Sequence, residues 1–211
     1  ALNMLAKKAT MAPCFWEDWW VDLGYPWDVL KANEYVLKDL KYSQISSNAV
    51  ISSKAIIEGP VIIDDNAEIS HYAVIKGPVY IGRNSFIGDH CLIRRYASIE
   101  ENSLVGAFSE VKYSSIQPNV TISSHSYVGD SVIGEYSVIG PHTVTLNILP
   151  TGVKVSRLHP IRIRGKMITK LGAIIGCNVY IGANNVLYAG SVVESYTRTK
   201  PHTIITHEET T

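Results

Sequence analysis

Lys76, Arg94 and Lys112 stand eighteen residues apart, and each directly follows an aliphatic residue: Ile75, Ile93 and Val111. If the chain returns to the same edge every eighteen residues, the three cations form a vertical ladder. Like charges stacked a strand spacing apart repel, so such a ladder either splays into solvent or shares an anion. Glu58, one interval earlier, is placed to pair with Lys76. A second set, His90, Phe108, His125 and His142, recurs at intervals of eighteen, seventeen and seventeen residues. A histidine of ordinary pKa can take a proton from an attacking nucleophile. Two stacked histidines could also share a zinc ion if a third ligand came from elsewhere. No CxxC or HExxH spacing supplies one locally, so no metal is expected.

These lines exist only if the chain repeats, and it does. From Ile45 an aliphatic residue returns at every sixth position through Ile51, Ile57, Ile63, Ile69, Ile75, Ile81, Ile87, Ile93, Ile99, Val105 and Val111. Four positions after each stands a small or β-branched residue, beginning Ala49, Ala55, Val61 and Ala67 and including Cys91. Six is neither the helical period of 3.6 nor the strand period of 2. It suits a flat strand followed by a corner, with the aliphatic residue inside and the small residue at the crowded turn. Three such units make an eighteen-residue triangular coil, and coils stack at the strand spacing of ~4.8 Å. No unit buries its apolar residue alone, so stability comes from stacking. The chain is thereby identified as an all-β solenoid, the left-handed parallel β-helix of hexapeptide-repeat proteins. Cys91, in a small-residue slot, reads as a buried and inert thiol.

The register slips by one between Val111 and Ile116 and again between Val128 and Ile133. Residues 146–170, with Pro150, Gly152, Pro160 and Gly165, read as an excursion loop before the repeat returns at Ile175. About seven coils are expected over residues 43–195, with 196–211 a tail that leaves or caps the solenoid. Residues 1–42 differ: all four tryptophans fall between Trp16 and Trp27. Pro26 and Asp28 mark a helix start, and Val29, Asn33, Val36, Leu37 and Leu40 suggest an amphipathic helix over 27–40 that caps the first coil. The aromatics before it would plug that cap or dock another domain or subunit.

Composition excludes several classes. Nineteen basic and nineteen acidic residues cancel, so no global field draws in nucleic acid or an anionic membrane. Hydrophobic residues at 46% and charged residues at 18% exclude a mainly disordered chain. No apolar run approaches the ~20 residues of a spanning helix. Three scattered cysteines argue against a disulfide framework and, with no secretory signal visible, for a cytoplasmic location.

The strings from Trp20 to Asn33, Ile57 to Val61, Ile75 to Gly82, Tyr127 to Gly134 and Lys170 to Gly176 resemble one family. It is the bifunctional sugar-1-phosphate nucleotidylyltransferase/amino-sugar N-acetyltransferases, in their C-terminal β-helix half, with archaeal thymidylyltransferase-like members most similar. The family's glycine-rich nucleotide-binding loop has no counterpart in these 211 residues, so nucleotidyl transfer is not expected of them. What the resemblance implies is acetyl transfer from acetyl-CoA to an amino-sugar phosphate in a cleft between the subunits of a homotrimer. Flat faces bearing Phe86, Leu92 and Leu104 suit a threefold contact.

In that resemblance Arg94 and Lys112 hold the sugar phosphate, with Lys76 as a further rung. Tyr127 and Asn147 contact the sugar and its amine, and His125 is the base. The family's histidine aligns with Ser124, one position before His125; its later serine aligns with Ala183, and its Gly-Asn pair with Gly106-Ala107. No residue is singled out for coenzyme A. Two rivals stand beside the enzyme: a non-catalytic trimeric assembly module that partners a separate sugar nucleotidyltransferase, and a zinc hydratase on the same scaffold.

Overall fold

A computed structural model describes residues 2–148, 162–163, 166–167 and 170–206. Most of the chain forms three flat parallel sheets of short strands, ordered so that every third strand pairs. The first face runs from Gln44–Ile45 and Val61–Ile63 up to Val192–Val193. The second runs from Val50–Ile51 to Tyr180–Ile181, and the third from Ile56–Glu58 to Ile204–Ile205. This is the left-handed β-helix that the period of six requires. The interior aliphatics stack as expected: Ile75, Ile93, Val111, Val128 and Ile181 are fully buried. Corner residues take a left-handed backbone at equivalent positions, among them Tyr72, His90, Phe108, His125 and His142, with φ between 57° and 62°.

The first and third faces each hold eight strands, so the described residues make eight coils where about seven were expected. The tail is the reason. Residues 196–206 neither leave nor cap the solenoid: Ile204–Ile205 pairs with Val186–Leu187, and Tyr180 bridges to Arg198. The interior slot of this added coil belongs to Thr199, whose Oγ1 accepts from the Gly182 N–H and from Asn185 Nδ2. A hydroxyl there breaks the aliphatic pattern without breaking the coil.

Both slips are real, and they share one corner. Ile99 pairs with Ile116 and Ile116 with Ile133, steps of seventeen residues against eighteen for Ile81 to Ile99. Each missing residue is taken from the turn between the third and first faces. The excursion leaves at the same corner, since Val132 pairs with Ile174 and the parallel ladder resumes in register after it. Arg162–Ile163 and Lys166–Met167 pair antiparallel, apart from the three faces; residues 149–161, 164–165 and 168–169 of the expected loop lie outside the described residues.

Helix α1 spans Leu2–Leu5 and helix α2 spans Asp28–Lys38. The Asp28 carboxylate accepts the Tyr25 N–H at 2.8 Å, and Lys38 sits in the last turn of α2, where a cation suits the helix dipole. The helix forms where the sequence predicts it but does not cap the first coil. It lies on the flank, at the corner of the three irregularities. Leu30 packs with Val132, Leu171, Ile174 and Ala189, and Trp27 and Tyr113 pack against that cluster. Its buried apolar residues are Leu30 and Leu37, while Val36 points out, 59% exposed. Val132, Leu171 and Ile174 give the helix an apolar strip on that flank. Nor do the preceding aromatics plug an end: Phe15, Trp16 and Trp20 are exposed, Trp19 stacks on Tyr35, and Tyr25 stacks on Trp27.

Candidate functional site

The outer surface of the third face carries two columns, because residues two apart on a strand point the same way. At the strand ends Glu58 pairs with Lys76, Lys76 with Arg94, Arg94 with Lys112, and Lys112 with Gly129. The cation ladder is therefore real in register. At the strand starts Leu92, Glu110, Tyr127 and Val144 stack in turn.

The ladder is not a row of free charges. Lys76 Nζ lies 3.3 Å from Glu58, both well exposed, as the interval of eighteen suggested. Arg94 directs Nε and Nη2 at one oxygen of Glu110, Oε1, at 2.8 and 2.7 Å. Lys112 Nζ lies 3.5 Å from Asp130 Oδ2. Asn147 Nδ2 donates to the same Asp130 oxygen at 2.5 Å and to the Tyr127 hydroxyl at 3.2 Å. Lys112, Tyr127 and Asn147 thus belong to one network, closed by Asp130, with the Arg94–Glu110 pair directly beside it. Lys76 sits one rung below with its own partner.

Sequence reasoning missed both carboxylates. Glu110 was detectable as the residue two before Lys112 on the same strand, hence on the same side. Asp130 sits in the shortened turn, where the repeat no longer predicts direction. Burial, followed by the negative charges of Glu110 and Asp130, raises the Tyr127 pKa, so its hydroxyl stays protonated near neutrality.

Gly129 makes room for this arrangement. A Cβ there would sit 2.6 Å from the Tyr127 hydroxyl oxygen and 2.8 Å from the ring, so only the bare backbone lets the tyrosine lie across the ladder's top toward Asn147.

His125 stands at the opposite edge of the same face, two residues before Tyr127. Its ring lies between Phe108 and His142, at centroid distances of 5.0 and 4.8 Å and nearly parallel to both. The column continues down through His90 to Tyr72, so His90 is stacked rather than simply solvated. Within one chain the cation ladder and the histidine column therefore border one face from its two edges. Among the described residues no group of three or more His, Cys, Asp or Glu is placed to hold a metal. Cys91 is buried, its thiol pushed up to about 11 chiefly by burial, while Cys14 and Cys177 are exposed and free. No described helix is long and apolar enough to cross a membrane.

Stacked six-residue units on three parallel faces define a hexapeptide-repeat left-handed β-helix protein. The chain is a relative of the β-helix half of the bifunctional sugar-1-phosphate nucleotidylyltransferase/acetyltransferases. A protein of that name from Sulfurisphaera tokodaii is 35% identical over 99% of this chain and 51% of its own length. A bifunctional GlmU protein from Methanococcus maripaludis is 49% identical over 86% of this chain and 43% of its own. The chain thus spans about half the length of the curated relatives it matches. A family model described as the GMPPB C-terminal domain matches residues 75–171. A crystal structure of UDP-N-acetylglucosamine acyltransferase superposes with a TM-score of 0.44 at 13% identity, covering 76% of this chain and 70% of that one.

Proposed function

We propose that this chain transfers an acetyl group from acetyl-CoA to the amine of an amino-sugar phosphate, in the cytoplasm, in a cleft completed by a neighbouring subunit of a homotrimer. The observation that carries the reading is the shared network of Lys112, Tyr127, Asn147 and Asp130 beside Arg94, on a face whose other edge holds His125. Its relatives' names include an acetyltransferase, which supports the same chemistry.

In this reading Arg94 and Lys112 hold the phosphate, with Lys76 as an outer rung, so that binding energy fixes the sugar's orientation. Tyr127 and Asn147 contact the sugar. The amine must lose a proton to attack the thioester carbon, and His125 accepts it. The bond formed is carbon to nitrogen, the bond broken is carbon to sulfur, and the thiolate of coenzyme A leaves. A thiol-release assay with acetyl-CoA and either glucosamine-1-phosphate or galactosamine-1-phosphate tests this. Turnover with at least one acceptor is expected; none, from a folded trimer, would defeat it.

A second reading keeps the fold and drops the chemistry: a trimeric assembly module for a separate sugar nucleotidyltransferase. The exposed aromatics Phe15, Trp16 and Trp20 favour it, since exposed apolar clusters mark interaction surfaces. Co-purification of a stoichiometric complex with such an enzyme, without thiol release, would support it.

A further inference from the structure

We infer that Glu110 is a resident competitor for the anion site, a residue that an incoming phosphate must displace from Arg94. The inference rests on the proposed phosphate role of Arg94. Among the described residues, both guanidinium contacts of Arg94, from Nε and Nη2, already end on Glu110 Oε1. A phosphate approaching this edge meets two cations and two carboxylates, a balance of zero, rather than an open positive patch.

The two pairs are not equally able to open. Lys112 and Asp130 are 11% and 10% exposed, and Asp130 is also held by Asn147. Separating such a pair strands a buried charge, which is costly. Arg94 and Glu110 are 34% and 28% exposed. Partly solvated pairs contribute little net stability, because water recovers much of what is lost when they part. Anion capture therefore proceeds by exchange at Arg94: the phosphate takes the guanidinium fork and Glu110 swings into solvent.

Glu110 presents one oxygen and one negative charge to the fork. A dianion with three acceptor oxygens can engage Nε and Nη2 separately, in the two-point geometry that guanidinium groups favour. The cost of displacing Glu110 is the same for any anion, so it weakens all of them by a common factor.

The test is titration of the full chain with inorganic phosphate, and separately with methyl sulfate, at about pH 8 and constant ionic strength, by calorimetry. Glu110→Gln, which keeps the shape and removes the charge, is expected to tighten phosphate about fivefold, the factor equivalent to ~1 kcal/mol. It is expected to tighten methyl sulfate by a similar factor, because both anions must displace the same residue. Glu110→Asp, which keeps the charge but draws it back from the fork, is expected to fall between and serves if the glutamine variant does not fold. Unchanged or weaker phosphate binding in a folded Glu110→Gln overturns the inference. Arg94→Ala separates the two levels. If it abolishes phosphate binding while Glu110→Gln fails to tighten it, the competitor is wrong and the clamp stands; if it changes nothing, both are wrong.

Discussion

Lys112 Nζ lies 3.5 Å from Oδ2 of Asp130, the residue after its register partner Gly129, and the two side chains are almost completely buried together. A lysine this enclosed is tolerated because a carboxylate faces it, and the carboxylate because Asn147 completes its contacts. The same shortened turn that breaks the repeat thus creates the pair at the centre of the candidate site.

Removing one member of that pair should be far worse than removing both. Lys112→Ala leaves Asp130 buried and uncompensated and is expected to cost about 3–5 kcal/mol in urea unfolding. The double change Lys112→Met with Asp130→Leu replaces the pair by apolar groups of similar size and should recover most of that loss. Equal destabilisation by the single and double variants would show that the pair is not the source of the effect.

Gly129 sets the position of Tyr127. In Gly129→Ala the new methyl would meet the tyrosine ring and hydroxyl at under 3 Å, so the ring must move and the hydrogen bond from Asn147 is lost. The expected result is a KM for the sugar phosphate several-fold higher, with unfolding free energy lower by about 1–3 kcal/mol, the usual range for an overpacked side chain. A variant with unchanged KM would mean that Tyr127 does not contact the acceptor.

Much of this arrangement was legible because period six converts sequence distance into height. Lys76, Arg94 and Lys112 could be placed on one line from their numbers alone, and both register slips fell where the aliphatic spacing dropped to five. What stayed hidden depends on more than register. The pairing of Arg94 with Glu110 crosses two columns and is decided by side-chain reach. The final coil escaped because Thr199 fills an interior slot by hydrogen bonding rather than by hydrophobic burial. The site of helix docking escaped for a different reason: an amphipathic pattern says that a face is buried, not which surface buries it. Trp27 and Leu30 found the irregular corner rather than the open end.

The helix should be held there in a pH-dependent way. Burial alone would raise the Glu34 pKa, but hydrogen bonds from Tyr113, at 2.6 Å, and Lys31 outweigh it and hold the carboxyl below its ordinary value of 4.5. A depressed acid contributes stability at pH above its unfolded value and loses it as pH falls through the folded one. Docking of α2, followed by tryptophan fluorescence, should therefore be constant from neutrality to about pH 5 and weaken below 4.5. Glu34→Gln should be weaker at neutral pH and flat across that acid range. An acid transition that persists unaltered in Glu34→Gln would assign the effect to other groups.

His125 is the residue on which the proposed chemistry depends. Its ring is stacked between Phe108 and His142 on the edge of the face opposite the cations, and the proposal makes it the proton acceptor. The decisive measurement is the steady-state rate of thiol release from acetyl-CoA by the wild-type chain and by His125→Ala, with the amino-sugar phosphate varied. A general base contributes to the transition state rather than to ground-state binding, so kcat should fall about 10²–10⁴-fold while KM for the sugar phosphate changes little. A folded His125→Ala that retains wild-type kcat would contradict the account.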